Sequence, residues 1–342
     1  MRMSSTKLET FNAFNEISDG LKDWLEGNGK NTQFKQGQKL ISEGEISDEV
    51  FLLIDGKLAV NTTDQNGQEK CLAELFEGSI VGEMTWLEQR PAVASVRALE
   101  TSNILSITFE SLDELVSRNA NHAAELQRVL AKKLALQINS QNVWIHRFSN
   151  EKVEIEPLRK VLVFFAGLSD QDVNAIANIG SLKRIHAGEV LIHQGDEVSS
   201  LYLILAGEAE IVVEIDGVSK QVGSSRRGEL LGELTLLLSS EGGATATVQS
   251  LEGMELLEIN KTSLNQLLNQ EPGLAEHFYR SLSCMLSQRS RDQLLAQRLA
   301  SLSKSAELVD GDDDEELDMT QLGGINRAGQ RFNRICEKFQ GS

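Results

Sequence analysis

Cysteine is scarce: Cys71, Cys284 and Cys336 are the only three in 342 residues. They are odd in number and far apart, and they fit neither a disulfide framework nor a metal-ligand spacing. No apolar run reaches the ~18 residues that a membrane span requires. The opening stretch MRMSSTKLETFNAF has no apolar core region and does not read as a secretory leader. These absences predict a cytoplasmic protein with no membrane span. Positive charge is also short, with 33 Lys and Arg against 51 Asp and Glu and a formal net charge of −18. That balance argues against nucleic acid or an anionic membrane as a general partner. Catalytic signatures are missing too. The histidines His122, His146, His186, His193 and His277 are scattered, and there is no nucleophile elbow, phosphate loop or metal motif. The chain is expected to be non-enzymatic and to hold no metal.

What is present is a duplication. Gly37, Gly44, Gly56, Gly78, Gly82 and Glu83 recur as Gly188, Gly195, Gly207, Gly228, Gly232 and Glu233. The offset holds to within one residue, which indicates two copies of one globular domain rather than a solenoid of units of about 20–50 residues. Each copy opens with a helical stretch, Phe11–Trp24 and Leu162–Ile179, and turns to strands punctuated by glycine. Runs such as Val50–Ile54 and Leu201–Leu205, followed by Asp55-Gly56 and Ala206-Gly207, read as hairpins. Many short strands with glycine turns predict a β-barrel or jelly roll. Each copy ends in an amphipathic helix with one apolar stripe, Leu126, Leu130, Leu134 and Ile138 in the first, Leu274, Phe278, Leu282 and Leu286 in the second. The second stripe breaks at Ser287–Gln293, which is almost wholly polar, and resumes at Leu294-Leu295. The expected organisation is a first domain over 1–150, a second over 151–302, an acidic disordered linker over 303–318 and a short basic amphipathic helix over 319–342.

The order of helix, GxxLxxxG, hairpin, GxxxGE, the PAVASV segment and a long helix resembles the cyclic nucleotide-binding domain. That domain is shared by Crp/Fnr-like regulators and the regulatory subunits of cyclic-nucleotide-dependent kinases. The resemblance implies a mainly β fold with flanking helices: two β-roll domains of the jelly-roll kind, each followed by a long helix. It also implies a site for a cyclic nucleotide, cAMP or cGMP, in the segment after Gly-Glu. There, helix amides face the phosphate, a glutamate accepts from the ribose 2′-hydroxyl, and an arginine pairs with the phosphate. Copy one offers Gly82, Glu83, Met84, Thr85, Arg90, Ala92, Ala94 and Ser95 as candidates, and copy two Gly232, Glu233, Leu234, Thr235, Ala244, Thr245 and Thr247. Both keep the glutamate and both lack the arginine, whose aligned positions are Ala92 and Ala244. The loss is worth about 1.5–3 kcal/mol of charged hydrogen bonding. Arg90 lies two residues before Ala92. Copy two has no basic residue in its loop, so Glu233 is expected as a lone carboxylate. Trp86 is expected to pack rather than to stack on a ligand.

The C-terminal stretch carries Arg327, Arg331, Arg334 and Lys338 beside Ile325, Phe332, Ile335 and Phe339. A basic amphipathic helix of this kind docks in a partner's groove or folds back on its own acidic domains. Arg327, Arg331, Phe332 and Ile335 are the candidate contacts. Leu317–Ile335 faintly resembles the turn and recognition helix of a Crp-like DNA reader. Its first helix has no room, however, and seven carboxylates precede it. The stripe Leu274–Leu286 resembles the seam through which Crp-like proteins dimerise, and a homodimer through it is expected. Three readings of the whole follow: a sensor or adaptor that signals through its long helices and tail to a protein partner, a scaffold with degenerate pockets, and a transcription regulator with a vestigial reader.

Overall fold

In the computed structural model, which describes residues 11–63, 69–148, 160–238, 243–302 and 319–340, the repeated glycines mark the corners of two β-rolls. The acidic linker expected over 303–318 lies outside these residues. The chain divides into two compact units, one of Met1–Ser140 with Leu286–Leu302, the other of Gln141–Met285 with Ser303–Ser342.

Unit 1 starts where two side-chain caps divide the single helix expected over Phe11–Trp24. Asn12 caps a 3-10 turn, Ala13–Asn15, and Ser18 caps α1 (Asp19–Asn28) by accepting from the Leu21 amide. The strands are β1 (Lys30–Phe34), β2 (Lys39–Ile41), β3 (Glu49–Asp55), β4 (Leu58–Thr63), β5 (Glu69–Leu75) and β6 (Ile80–Val81). The helix α2 (Glu83–Glu88) follows, then β7 (Ser95–Ala98), β8 (Ser102–Thr108), α3 (Phe109–Arg118) and the long α4 (Ala120–Phe148). Two four-stranded antiparallel sheets result, in the orders β1-β8-β3-β6 and β2-β7-β4-β5. Between them Phe51, Leu53, Leu58, Val96 and Ile104 form the core. The α4 stripe is buried as expected, with Leu130, Leu134 and Ile138 all but inaccessible.

Unit 2 repeats the plan. Here Ser169 breaks the helix expected over Leu162–Ile179. It makes a capping box with Asp172 and so separates α5 (Lys160–Gly167) from α6 (Asp170–Asn178). The strands are β9 (Gly180–Ile185), β10 (Val190–Ile192), β11 (Ser200–Ala206), β12 (Glu208–Ile215), β13 (Val218–Arg226) and β14 (Leu230–Leu231). Then come α7 (Glu233–Leu237), β15 (Thr247–Ser250), β16 (Met254–Asn260), α8 (Lys261–Gln270) and α9 (Pro272–Leu302). The sheets are β14-β11-β16-β9 and β10-β15-β12-β13, the same orders as in unit 1.

Three expectations need correction. Leu274, Phe278, Leu282 and Leu286 are buried within the chain itself, so the stripe predicted as a dimer seam is not a surface. The C-terminal stretch forms one continuous helix, α10 (Met319–Gln340), with no turn between two reader helices. Its apolar face is occupied in unit 2. The Phe332 ring sits 5.5 Å from that of Phe165, Arg227 lies over Phe332, and Phe332 and Ile335 are 5% and 2% exposed. Arg331 donates to the Phe165 and Ala166 carbonyls at the end of α5 and, with Arg334, to the Asp170 carboxylate. Those two arginines hold the Asp170 carboxyl below its ordinary range. Docking is therefore in cis. Phe332 and Ile335, offered as partner contacts, are instead part of unit 2's own packing, while Arg327 is exposed.

Candidate ligand cradle

Each cradle begins at a glycine that no other residue replaces without strain. Gly82 and Gly232 have φ of 90° and 83°. A Cβ would stand 2.8 Å from the Glu49 carbonyl oxygen in the first copy and 3.0 Å from that of Ser200 in the second. Left-handed backbone and a close carbonyl together call for glycine. The next residue starts the short helix α2 or α7, and its carboxylate, Glu83 or Glu233, turns inward.

The far side of each cradle is held by matching bonds. The Gly44 amide donates to the Ala92 carbonyl (2.8 Å) and the Ala92 amide to the Glu45 carbonyl (2.9 Å). The second copy repeats this with Gly195, Ala244 and Asp196, at 2.8 Å in both bonds. Ala92 and Ala244 are therefore equivalent, and their side chains lie against the β-core in their own units. The hydroxyls of Ser95 and Thr247 accept from the Glu43 and Gln194 amides, at 3.0 and 3.1 Å. In this structure they are braces for the strand that faces them. Thr85 and Thr235 are buried, as are Ala94 and Leu234, whereas Met84, Arg90 and Thr245 are partly exposed. Trp86 is buried, with its indole nitrogen donating to Asp113 at 3.0 Å, a packing role as the sequence predicts.

The sequence did not foresee the cations. In unit 1 Lys133 of α4 donates to Glu83, with side chains 11% and 2% exposed. The glutamate is held by a lysine fifty residues later in the chain. In unit 2 Glu233 is not the lone carboxylate expected, because Lys261, the first residue of α8, lies close enough to be stabilised electrostatically by it and by Glu197. Lys261 also donates to the Thr235 hydroxyl at 2.7 Å. Burial outweighs those carboxylates and lowers its pKa from 10.5 to about 8.

That shift fixes a sign. Between about 8 and 10.5 the unfolded chain holds a proton on Lys261 that the folded chain has lost, so the contribution of this side chain to stability rises with pH across that window. The urea midpoint of the wild type minus that of Lys261→Gln is expected to be larger at pH 9.5 than at pH 7. A difference that does not grow would mean that the folded lysine keeps its proton across that window.

A third cation serves unit 1. Arg291 of α9 donates through Nε to Glu88 (2.7 Å) and through Nη1 to the Pro91 carbonyl (2.8 Å), and Ser287 also donates to Glu88. Burial raises the Glu88 pKa, against the pull of Arg291, Ser287 and Arg90.

The family model of the cyclic nucleotide-binding domain matches residues 31–119 and 182–271. Lysophospholipase nte1 of Aspergillus terreus is 34% identical over 110 residues, covering 32% of this chain and 7% of that protein. The cAMP-dependent protein kinase regulatory subunit of Debaryomyces hansenii is 23% identical over 249 residues, covering 72% of this chain and 46% of that protein. The chain thus spans less than half the length of either curated relative. Among solved structures, the regulatory domain of Toxoplasma gondii PKA with cAMP has 16% identity, covering 84% of this chain and 95% of that one at a TM-score of 0.31. Among the described residues no helix is long and apolar enough to cross a membrane. With both matched segments falling on the two β-rolls and their Gly-Glu cradles, the chain belongs to the cyclic nucleotide-binding domain family and carries that domain twice.

Proposed function

We propose that the chain is a non-enzymatic regulatory protein whose first domain receives a cyclic nucleotide, cAMP or cGMP, and reports its presence to a protein partner by shifting α4. The bond between Glu83 and Lys133 carries this reading. It ties the cradle glutamate directly to the long helix, so a ribose hydroxyl that engages Glu83 competes with Lys133 and loosens α4. Gly82, Glu83, Met84, Thr85, Ala94 and Ser95 would line the site. The relatives support a regulatory role through the name of the kinase regulatory subunit. The lysophospholipase carries an activity in a protein of which this chain matches 7%.

Copy two favours the scaffolding reading for itself. Ala244 lies in the apolar core beside Tyr202 and Leu231, and Lys261 sits between Glu233, Glu197 and Thr235. The second cradle is proposed to be structural.

A ligand that binds only the folded chain stabilises it by about 2.7 kcal/mol at one hundred times its dissociation constant. Scanning calorimetry with millimolar cAMP or cGMP is expected to show an upward shift in melting temperature. No shift with either nucleotide would remove the receptor reading and leave the scaffold.

A further inference from the structure

The polar break in the α9 stripe is a feature that the fold does not require. An exposed stretch would explain it, yet Ser287, Ser290, Arg291 and Gln293 are all buried. Ser290 accepts from Gln137 of α4 at 2.7 Å, and Ser287 and Arg291 both reach Glu88, the last residue of α2. All of these contacts lie within unit 1. The break places a buried guanidinium against the loop where the family's phosphate-binding arginine is replaced by Ala92.

The guanidinium is incompletely satisfied. Its side chain is 8% exposed and that of Glu88 1%. Nε and Nη1 have partners, but Nη2 is fully buried with no hydrogen-bond partner among the described residues. A buried donor without an acceptor is costly, more so when it belongs to a charged group. The rigid planar fork keeps Nη2 beside Nη1, which is itself bonded to the residue preceding Ala92. An anionic oxygen delivered to this loop would satisfy Nη2 with a charge-assisted bond.

We propose that Arg291 is the phosphate-binding cation of the first domain: α9 supplies from a distant part of the sequence the guanidinium that Ala92 lacks. This rests on the reading of the first domain as a cyclic nucleotide receptor. The ligand class is a cyclic phosphodiester carrying a single negative charge. Nη2 is sealed in this structure, so the phosphate enters by loosening the Glu88 clamp or the Pro91–Ala92 turn. Glu88 then competes with the ligand for Arg291, and it sets the affinity as a built-in rival carboxylate.

The test is calorimetric titration of the full chain with cAMP and with cGMP. Arg291→Gln alone strands the Glu88 carboxylate and risks misfolding, so the neutral pair Glu88→Gln with Arg291→Gln is used, with folding checked by circular dichroism. That pair is expected to bind about ten- to hundred-fold more weakly than wild type, the worth of one charged hydrogen bond. Glu88→Gln alone is expected to bind more tightly than wild type, because the rival carboxylate is gone. A merely structural clamp predicts unchanged or weaker binding. Adding Ala92→Arg to the neutral pair is expected to restore affinity. If the neutral pair binds as wild type does, Arg291 is not the cation and the receptor reading survives. Binding that appears only with Ala92→Arg and is absent from wild type also overturns the assignment, while showing a sound cradle. No binding by any variant overturns the receptor reading itself and the Arg291 assignment with it.

Discussion

Replacing Lys133 by alanine is expected to lower stability by about 3–5 kcal/mol, because it leaves Glu83 charged, buried and unpaired. Glu83 is 1% and Lys133 8% exposed, so water reaches neither well enough to take the partner's place. The two charges were costly to bury, and their attraction offsets a cost already incurred. Lys133→Met combined with Glu83→Gln removes both charges and keeps most of the volume. It is expected to cost clearly less than the sum of the two single changes, so that a double-mutant cycle gives a favourable coupling. At about 2–4 °C per kcal/mol for a unit of 150–250 residues, Lys133→Ala should lower the melting temperature by roughly 10 °C. Urea midpoints for the four proteins of the cycle measure the coupling. Strictly additive losses would show that Glu83 is held by something other than Lys133, and would remove the link between the cradle and α4.

The glycines made the fold legible. Gly82 and Gly232 each need a left-handed backbone next to a carbonyl, and a requirement of that kind writes itself into the sequence as an identical letter at an identical spacing. Hairpins and amphipathic stripes were legible for the same local reason, since periods of two and 3.6 follow from backbone geometry alone. The cations were not. Lys133 and Arg291 meet Glu83 and Glu88 across fifty and some two hundred positions, and no local pattern encodes such a meeting. Faint signals existed. Lys133 stands next to Leu134 on the inward side of the α4 stripe, and the polar break at Ser287–Gln293 interrupts an otherwise apolar face. Both look like solvated residues until the structure shows them buried. Capping explains the remaining misreadings: Ser18 and Ser169 each start a new helix shortly after the preceding one has stopped, which hydrophobic periodicity does not detect.

Phe332→Asp with Ile335→Asp is expected to release α10 from unit 2 and to open the apolar space that Ile335 now closes. That space is lined by Phe164, Phe165, Leu168, Phe278 and Ile335, among other apolar side chains. Phe164 packs edge-on against Phe165 and Phe278, so the aromatic cluster that α10 covers continues into the helix cores of the unit. A large buried aromatic is worth about 3–5 kcal/mol on truncation to alanine, and a buried carboxylate is worse. The polar rim adds to the clamp without replacing the apolar face. Arg331 satisfies two carbonyls at the end of α5, while the exposed pairing of Arg331 and Arg334 with Asp170 is of the weak surface kind. Acid weakens that pairing, since the lowered pKa of Asp170 means its contribution is lost as pH falls through the folded value. Hydrogen exchange resolved by peptide is the measurement. In the double variant α5, α6 and α10 should exchange faster, and an apolar dye should bind, while β3 and β8 stay protected. Most of the stability of a helix in a protein comes from packing its amphipathic face rather than from propensity, so released α10 should also lose its helical amide protection. If α5 and α6 exchange at the wild-type rate in the double variant, α10 contributes nothing to the stability of unit 2, and its docked position is one that a competing partner helix can empty at no cost.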